Sequence, residues 1–276
     1  MSTVCLWYVY MVPANVGDFL YDLVTHKKQN KISAADTTCN LTITSEANRL
    51  NALGSHTVAR GLLQSEQIYD NAGDSYETAV NLYDFIYDCE YESIADEFVQ
   101  GCQQTPPSTP PEGHALNFKG FPYNGGATYN RPSEIAIDEW RDQSTKIKAT
   151  NMFDEGIREL SNLLLRQMLN WRTLRVGCSV QSCGGGIIAS VACVYEKPAL
   201  SPGDQMYEVG KPCSADEECT AYEPAKCDVD GMLCILDTIS SITSSTSTST
   251  TSTTVLNTTL STSSLATTNA NPNTGT

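Results

Sequence analysis

Histidines, cysteines and carboxylates are the side chains of this sequence that could do chemistry. The histidines are His26, His56 and His114. Glu112 and His114 stand two apart in Pro110-Pro111-Glu112-Gly113-His114 and could in principle act as acid and base. A loop carrying unrelated polar residues accounts for them more simply, and His56, on a predicted helix, is expected to face solvent. No Gly-x-Ser-x-Gly elbow is present to expose a nucleophilic serine. Gly184-Gly185-Gly186 joins two predicted strands, so it reads as a turn and not as a phosphate-binding loop.

The 11 cysteines carry more information. No Cys-x-x-Cys pair occurs, and Cys213, Cys219, Cys227 and Cys234 are spaced too loosely for a zinc finger or ribbon. Disulfides need only spatial proximity, and so many cysteines in a chain of this size point to an oxidising compartment. Cys5 lies in an apolar start, Val4 to Val12, that resembles a signal-peptide core without its usual basic preface. Either that signal is atypical or the start of the chain is misplaced. Setting it aside leaves Cys39, Cys89, Cys102, Cys178, Cys183, Cys193, Cys213, Cys219, Cys227 and Cys234, an even set that can close completely. Closed thiols leave no free thiolate for catalysis.

Charge narrows the partners. With 17 basic against 32 acidic residues the net charge is −15, the wrong sign for nucleic acid or for an anionic membrane. No apolar run after the start is long enough to span a bilayer.

These side chains must be positioned by a globular region from about Cys39 to Ile235. Ser45 is placed to cap a helix carrying Leu50, Leu53 and Val58. Tyr91, Ile94, Ala95, Phe98 and Val99 recur at helical spacing, so Cys89 to Cys102 reads as an amphipathic helix with a cysteine at each end. Pro132 and Ser133 open a third helix through Trp140, and Ile157, Leu160, Leu164 and Met168 mark a fourth. The period then changes to two. Leu174, Val176, Cys178 and Val180 alternate, as do Ile187, Ala189, Val191, Cys193 and Tyr195, which predicts a hairpin in the middle of a sheet. Cys183 with Cys193 is an attractive pair across it.

Four segments follow: 1–38, a leader or misplaced start; 39–206, the main α+β domain; 207–236, a cysteine-rich module too poor in large apolar residues to fold without disulfides; and 237–276, a Ser/Thr-dominated tail. In an extracellular chain that tail reads as a mucin-like, O-glycosylated stalk. Its end lacks the apolar segment of a GPI signal. Asn40 and Asn257 head Asn-x-Thr sequons and are candidate N-glycan sites.

Four motifs in order carry a family resemblance. Tyr87-Asp88-Cys89 with Glu92 and Ala95, then Gln167-Met168 with Thr173 and Gly177-Cys178, then Val191-Ala192-Cys193-Val194-Tyr195, and last Tyr207-Glu208-Val209-Gly210-Lys211-Pro212-Cys213, resemble segments of the CAP superfamily (SCP/TAPS). The match is to its venom-allergen-like, activation-associated branch, secreted by parasitic nematodes. The resemblance implies a three-layer α-β-α sandwich, secretion, a cysteine-rich hinge and a central cleft, which in many members holds a divalent cation on two histidines and two glutamates. Carried over by position, that tetrad falls on Asn51, Leu116 (or Asn117), Gln143 (or Asp142) and Leu164. Leucine offers no lone pair and an amide is a weak ligand, so neither a metal nor another cofactor is expected.

The function this implies is a secreted, non-enzymatic effector that binds a host or other extracellular protein, with immunomodulation at a host–parasite interface. Candidate contact regions are the Pro-rich loop Thr105 to Pro111 and the aromatic stretch Phe118, Phe121, Tyr123 and Tyr129, which could equally be scaffold. A lipid or sterol carrier, a metal-dependent hydrolase and a mucin-like coat component are the competing classes.

Overall fold

The computed structural model describes residues 38–39, 44–123, 131–153 and 164–237. Both sequons, Tyr129, most of the leader and the Ser/Thr tail from 238 on lie outside these residues, as does most of the predicted fourth helix. Among the described residues no helix is long and apolar enough to cross a membrane.

Helix α1 (Glu46–Gln64) starts where the Ser45 hydroxyl accepts from the Asn48 amide. Helix α2 (Cys89–Val99) is capped by Asp88, whose carboxylate accepts from Glu90 and Tyr91. Helix α3 (Pro132–Arg141) opens on proline at its first position, where no backbone donor is needed. A 3-10 turn, Asp142–Lys146, continues it, and of the predicted fourth helix Leu165–Leu169 is described as α4.

The strands are β1 (Ile86–Tyr87), β2 (Ala115–Pro122), β3 (Arg175–Cys183) and β4 (Ile188–Tyr195), in the order β1-β3-β4-β2. The predicted hairpin β3–β4 is therefore central. Gly184, Gly185 and Gly186 all take positive φ in its turn, a region closed to most side chains.

Strand alternation divides the sheet into two faces. Val176, Cys178, Ala189, Val191, Cys193 and Tyr195 face α1 and α3, where Ala52, Leu53, Ala59, Ile137 and Trp140 complete the core. Ala192, Val194 and Phe118 face α2 through Ala95 and Val99. Helices on both faces make an α+β, three-layer sandwich. Gly177 lets α2 approach, because a Cβ there would stand 2.2 Å from the Glu92 nitrogen.

The same alternation decides the disulfides. Cys178 and Cys193 are direct cross-strand partners with Cα atoms 4.1 Å apart, and they are bonded to each other. The expected Cys183–Cys193 pair does not form. Cys183 lies opposite Ile188, five residues along β3 from Cys178, so its side chain leaves the opposite face of the strand. It bonds Cys102, just past the end of α2. Cys39–Cys89 ties the start of the described chain to the start of α2.

Residues 207–236 close through Cys213–Cys227 and Cys219–Cys234 around a small hairpin, β5 (Ala225–Asp228) with β6 (Leu233–Leu236). The module is joined to the sandwich and does not merely hang from it. The Cys234 amide donates to the Leu82 carbonyl at 2.9 Å, the Asp84 amide donates to the Cys234 carbonyl at 2.7 Å, and Leu233 sits in a core cluster with Leu63 and Tyr207.

Three of the polar residues buried in α1 tie it to its surroundings. Arg49 makes a two-pronged ion pair to Glu92 of α2 at 2.6 and 2.8 Å, and the Tyr87 hydroxyl lies 2.8 Å from the same carboxylate. Arg60 donates to the carbonyls of Tyr83, Met168, Asn170 and Thr173, and its guanidinium lies 3.6 Å over the Phe85 ring. His56, expected at the surface, is fully buried. α1 is enclosed on almost every side, so a polar residue on it has no solvent face to occupy. Its Nδ1–H donates to the Ala52 carbonyl at 2.8 Å, and its Nε2 accepts from the Tyr195 hydroxyl at 2.7 Å. That hydroxyl accepts in turn from Asn117 Nδ2 at 2.9 Å, and burial holds the imidazole neutral.

Two outcomes test this packing. A non-reducing peptide map should link Cys178 to Cys193 and Cys102 to Cys183. Replacing Cys178 and Cys193 together by alanine should cost about 3 kcal/mol in a denaturant titration, the loop-closure value for so short a span. The second test is acid stability. Burial lowers the His56 pKa from 6.5 to about 4, so protonation favours the unfolded chain. Its stabilisation is complete above pH 6.5 and is lost as the pH falls toward 4, in total about 3 kcal/mol. His56→Gln should be less stable at pH 7, yet lose about 2 kcal/mol less than the parent between pH 7 and 4.5. An unchanged pH slope would remove His56 as its source.

Candidate functional site

A cleft of about 520 Å³ opens along the edge of β2. Leu116, Phe118, Lys119 and Gly120 form its floor, α3 and the 3-10 turn contribute Glu139, Trp140 and Gln143, and α4 and the residue before it contribute Leu164, Arg166 and Gln167. The Pro-rich loop forms the remaining wall through Gln104, Pro106, Pro107, Ser108 and Pro110. Gly120 holds that loop close, because a Cβ there would meet the Gln104 backbone at 2.3 Å.

The residues singled out by position divide accordingly. Leu116, Gln143 and Leu164 meet in the cleft. Gln143 Oε1 accepts from the Leu164 amide at 2.7 Å, which fixes its side chain against the wall. Asn117 is fully buried behind the floor, where Nδ2 also donates to the Leu164 carbonyl at 3.0 Å. Asn51 is half-buried on α1 and does not line the cleft.

The histidines do not gather there. His56 is enclosed in the core, and His114 packs its ring 5.0 Å from Tyr91 with Nδ1 3.2 Å from the Tyr195 carbonyl. Neither lines the cleft, and no hydrogen bond or ion pair joins Glu112 to His114. The Pro-rich loop does face the cleft. Phe118, Phe121 and Tyr123 are buried, so these aromatics belong chiefly to the scaffold.

The electrostatics are uneven. Lys119 Nζ and Glu139 Oε1 pair at 2.5 Å. Arg166 is the remaining charged residue of the lining, and its Nε has no hydrogen-bond partner among the described residues. Its guanidinium stacks 4.3 Å over the Phe153 ring, and burial lowers its pKa below the usual arginine value. The Trp140 Nε1 is also buried without an acceptor among the described residues. Sequence reasoning passed over Arg166, whose one signal is a basic residue following the apolar run Leu163-Leu164-Leu165.

Among the described residues, this donor set does not fit a divalent cation. Zinc needs imidazole, thiolate or carboxylate ligands converging near 2 Å. The lining offers side-chain amides, a serine and one carboxylate already engaged by Lys119. Cys213, Cys219 and Cys227 bring their sulfurs within 4.8 Å of one another, but all three are in disulfides, so no thiolate remains to bind a metal.

Comparison with known proteins accords with this architecture. The profile of the Cysteine-rich secretory protein family (CAP) matches residues 50–195. The chain is 24% identical to Ancylostoma secreted protein of Ancylostoma caninum over 171 residues, which is 60% of this chain but 38% of that protein. It is 26% identical to Hookworm platelet inhibitor 1 of the same organism, over 58% of this chain and 73% of that one. The fold is shared with NaASP2, whose crystal structure was determined with Zn²⁺, at TM-score 0.60 and 24% identity, covering 71% of this chain and 100% of that one. The chain thus spans well under half of the first relative's length. With the profile extending from α1 to the end of β4, this chain belongs to the CAP family of cysteine-rich secretory proteins.

Proposed function

We propose that this chain is a secreted, non-enzymatic CAP protein that acts by recognising a protein of a host. The observation that carries the reading is the make-up of the cleft. Leu116, Leu164 and the committed amide of Gln143 stand where a hydrolytic or metal centre would need imidazoles and carboxylates. A disulfide-fixed frame supports recognition, because preorganised walls lower the ordering cost of binding. The five disulfides among the described residues fit an extracellular destination. The name of one relative, a platelet inhibitor, directs the choice of host cell.

Labelled full-length protein should bind mammalian platelets or leukocytes saturably at micromolar concentration and be displaced by unlabelled protein. Absence of saturable binding to either cell type would remove the reading. Elemental analysis of protein purified from zinc-containing medium should find far less than one zinc per chain. Stoichiometric zinc that is lost on Gln143→Ala would return a metal centre to the cleft.

A further inference from the structure

Among the described residues β2 is an edge strand, bonded to β4 on one side. In an antiparallel ladder, alternate residues turn both backbone groups toward the same neighbour. The Tyr123 amide, just past the strand, donates to the Ile187 carbonyl, which sets the odd-numbered residues of β2 toward β4. Leu116, Phe118 and Gly120 consequently direct their N–H and C=O groups outward, and among the described residues none of these groups has a protein partner. These residues also form the floor of the cleft. An unpaired edge is a template for a further strand, and proteins usually blunt or cover one that is exposed. Here it lies between the Pro-rich loop and Arg166, along a cleft of about 520 Å³.

We infer that the cleft takes an extended peptide segment of a partner protein as an added strand on β2, with an acidic side chain of that segment directed to Arg166. The backbone supplies the sequence-independent part of the affinity, as in other cases of strand addition. Leu116 to Gly120 would pair with about five residues at roughly 3.4 Å each. Charge supplies the selectivity. Lys119 and Glu139 neutralise each other, while Arg166 lines the cleft with no ion-pair partner among the described residues, and a guanidinium matches a carboxylate. Proline and aromatic walls suit an extended chain and offer no competing backbone donors on the proline side.

The inference rests on the recognition function proposed above and narrows it to one surface and one ligand chemistry. Its test uses no host material. A displayed random heptapeptide library is selected on the immobilised full chain, and the consensus peptide is synthesised and measured by calorimetry. Enriched sequences should share one Asp or Glu at a fixed place among alternating apolar residues. N-methylation should abolish binding at alternate peptide positions and leave it intact at those between. Arg166→Gln should weaken the acidic peptide about tenfold, the scale of a charge-assisted pair, yet leave its Glu→Gln counterpart unchanged. That double comparison separates a lost contact from a misfolded variant. The site is overturned by failure to enrich, by N-methylation that is equally harmful or harmless at every position, by Arg166→Gln affecting both peptides alike, or by a self-associated dimer that the peptide cannot dissociate. Cell binding without peptide enrichment would sink this site alone. Peptide enrichment without cell binding would sink host recognition alone.

Discussion

The buried guanidinium of Arg60 is the interaction on which the arrangement of the segments around α1 depends. It is fully enclosed, and desolvation lowers its pKa to about 9, with Asp84 the leading opposing charge. A cation taken out of water must be resolvated by the protein. Here the carbonyls of Tyr83, Met168, Asn170 and Thr173 do so. Those acceptors come from the approach to β1, from α4 and from the turn before β3. One side chain therefore fixes where three segments stand relative to α1, and α4 carries Arg166 and Gln167 to the cleft wall. The cleft is shaped indirectly, by a charge that lies outside it.

Asn117 links the two regions. It donates to the Leu164 carbonyl at the cleft and to the Tyr195 hydroxyl in the core, and Tyr195 continues the chain to His56 and Ala52. Every proton in that line has one consistent position when the imidazole is neutral. The Arg49–Glu92 pair with Tyr87 holds α1 to α2 in a similar way, from the other side of the sheet. Breaking one partner of such a buried pair is far costlier than the pair is stabilising, so these groups act mainly to reject alternative packings.

Much of the fold was legible because local signals agreed with it. The Ser45 cap, the helical stripe of α2 and the two alternating strands around three glycines each follow from nearest-neighbour chemistry. What escaped was set by long-range register or by complete enclosure. Alternation predicts a hairpin without its register, and register alone decides that Cys178, and not Cys183, meets Cys193. His56 was misread because a helix enclosed on nearly all sides carries no usable amphipathic pattern. At the site, position-by-position comparison brought Leu116, Gln143 and Leu164 to one cleft, but not Asn51. Arg166 and the free edge of β2 had no sequence signature, since each acquires meaning only from what the fold leaves unpaired beside it.

The Cys102–Cys183 bond reaches across the segment that holds the Pro-rich wall, joining the chain before that loop to the chain after it. A protease that cuts between Gln104 and Pro111 therefore releases nothing. Both fragments stay covalently attached, migrate together until reduced, and keep α2 on its face of the sheet. The most accessible rim of the cleft can be nicked in a protease-rich setting while the molecule persists as one particle.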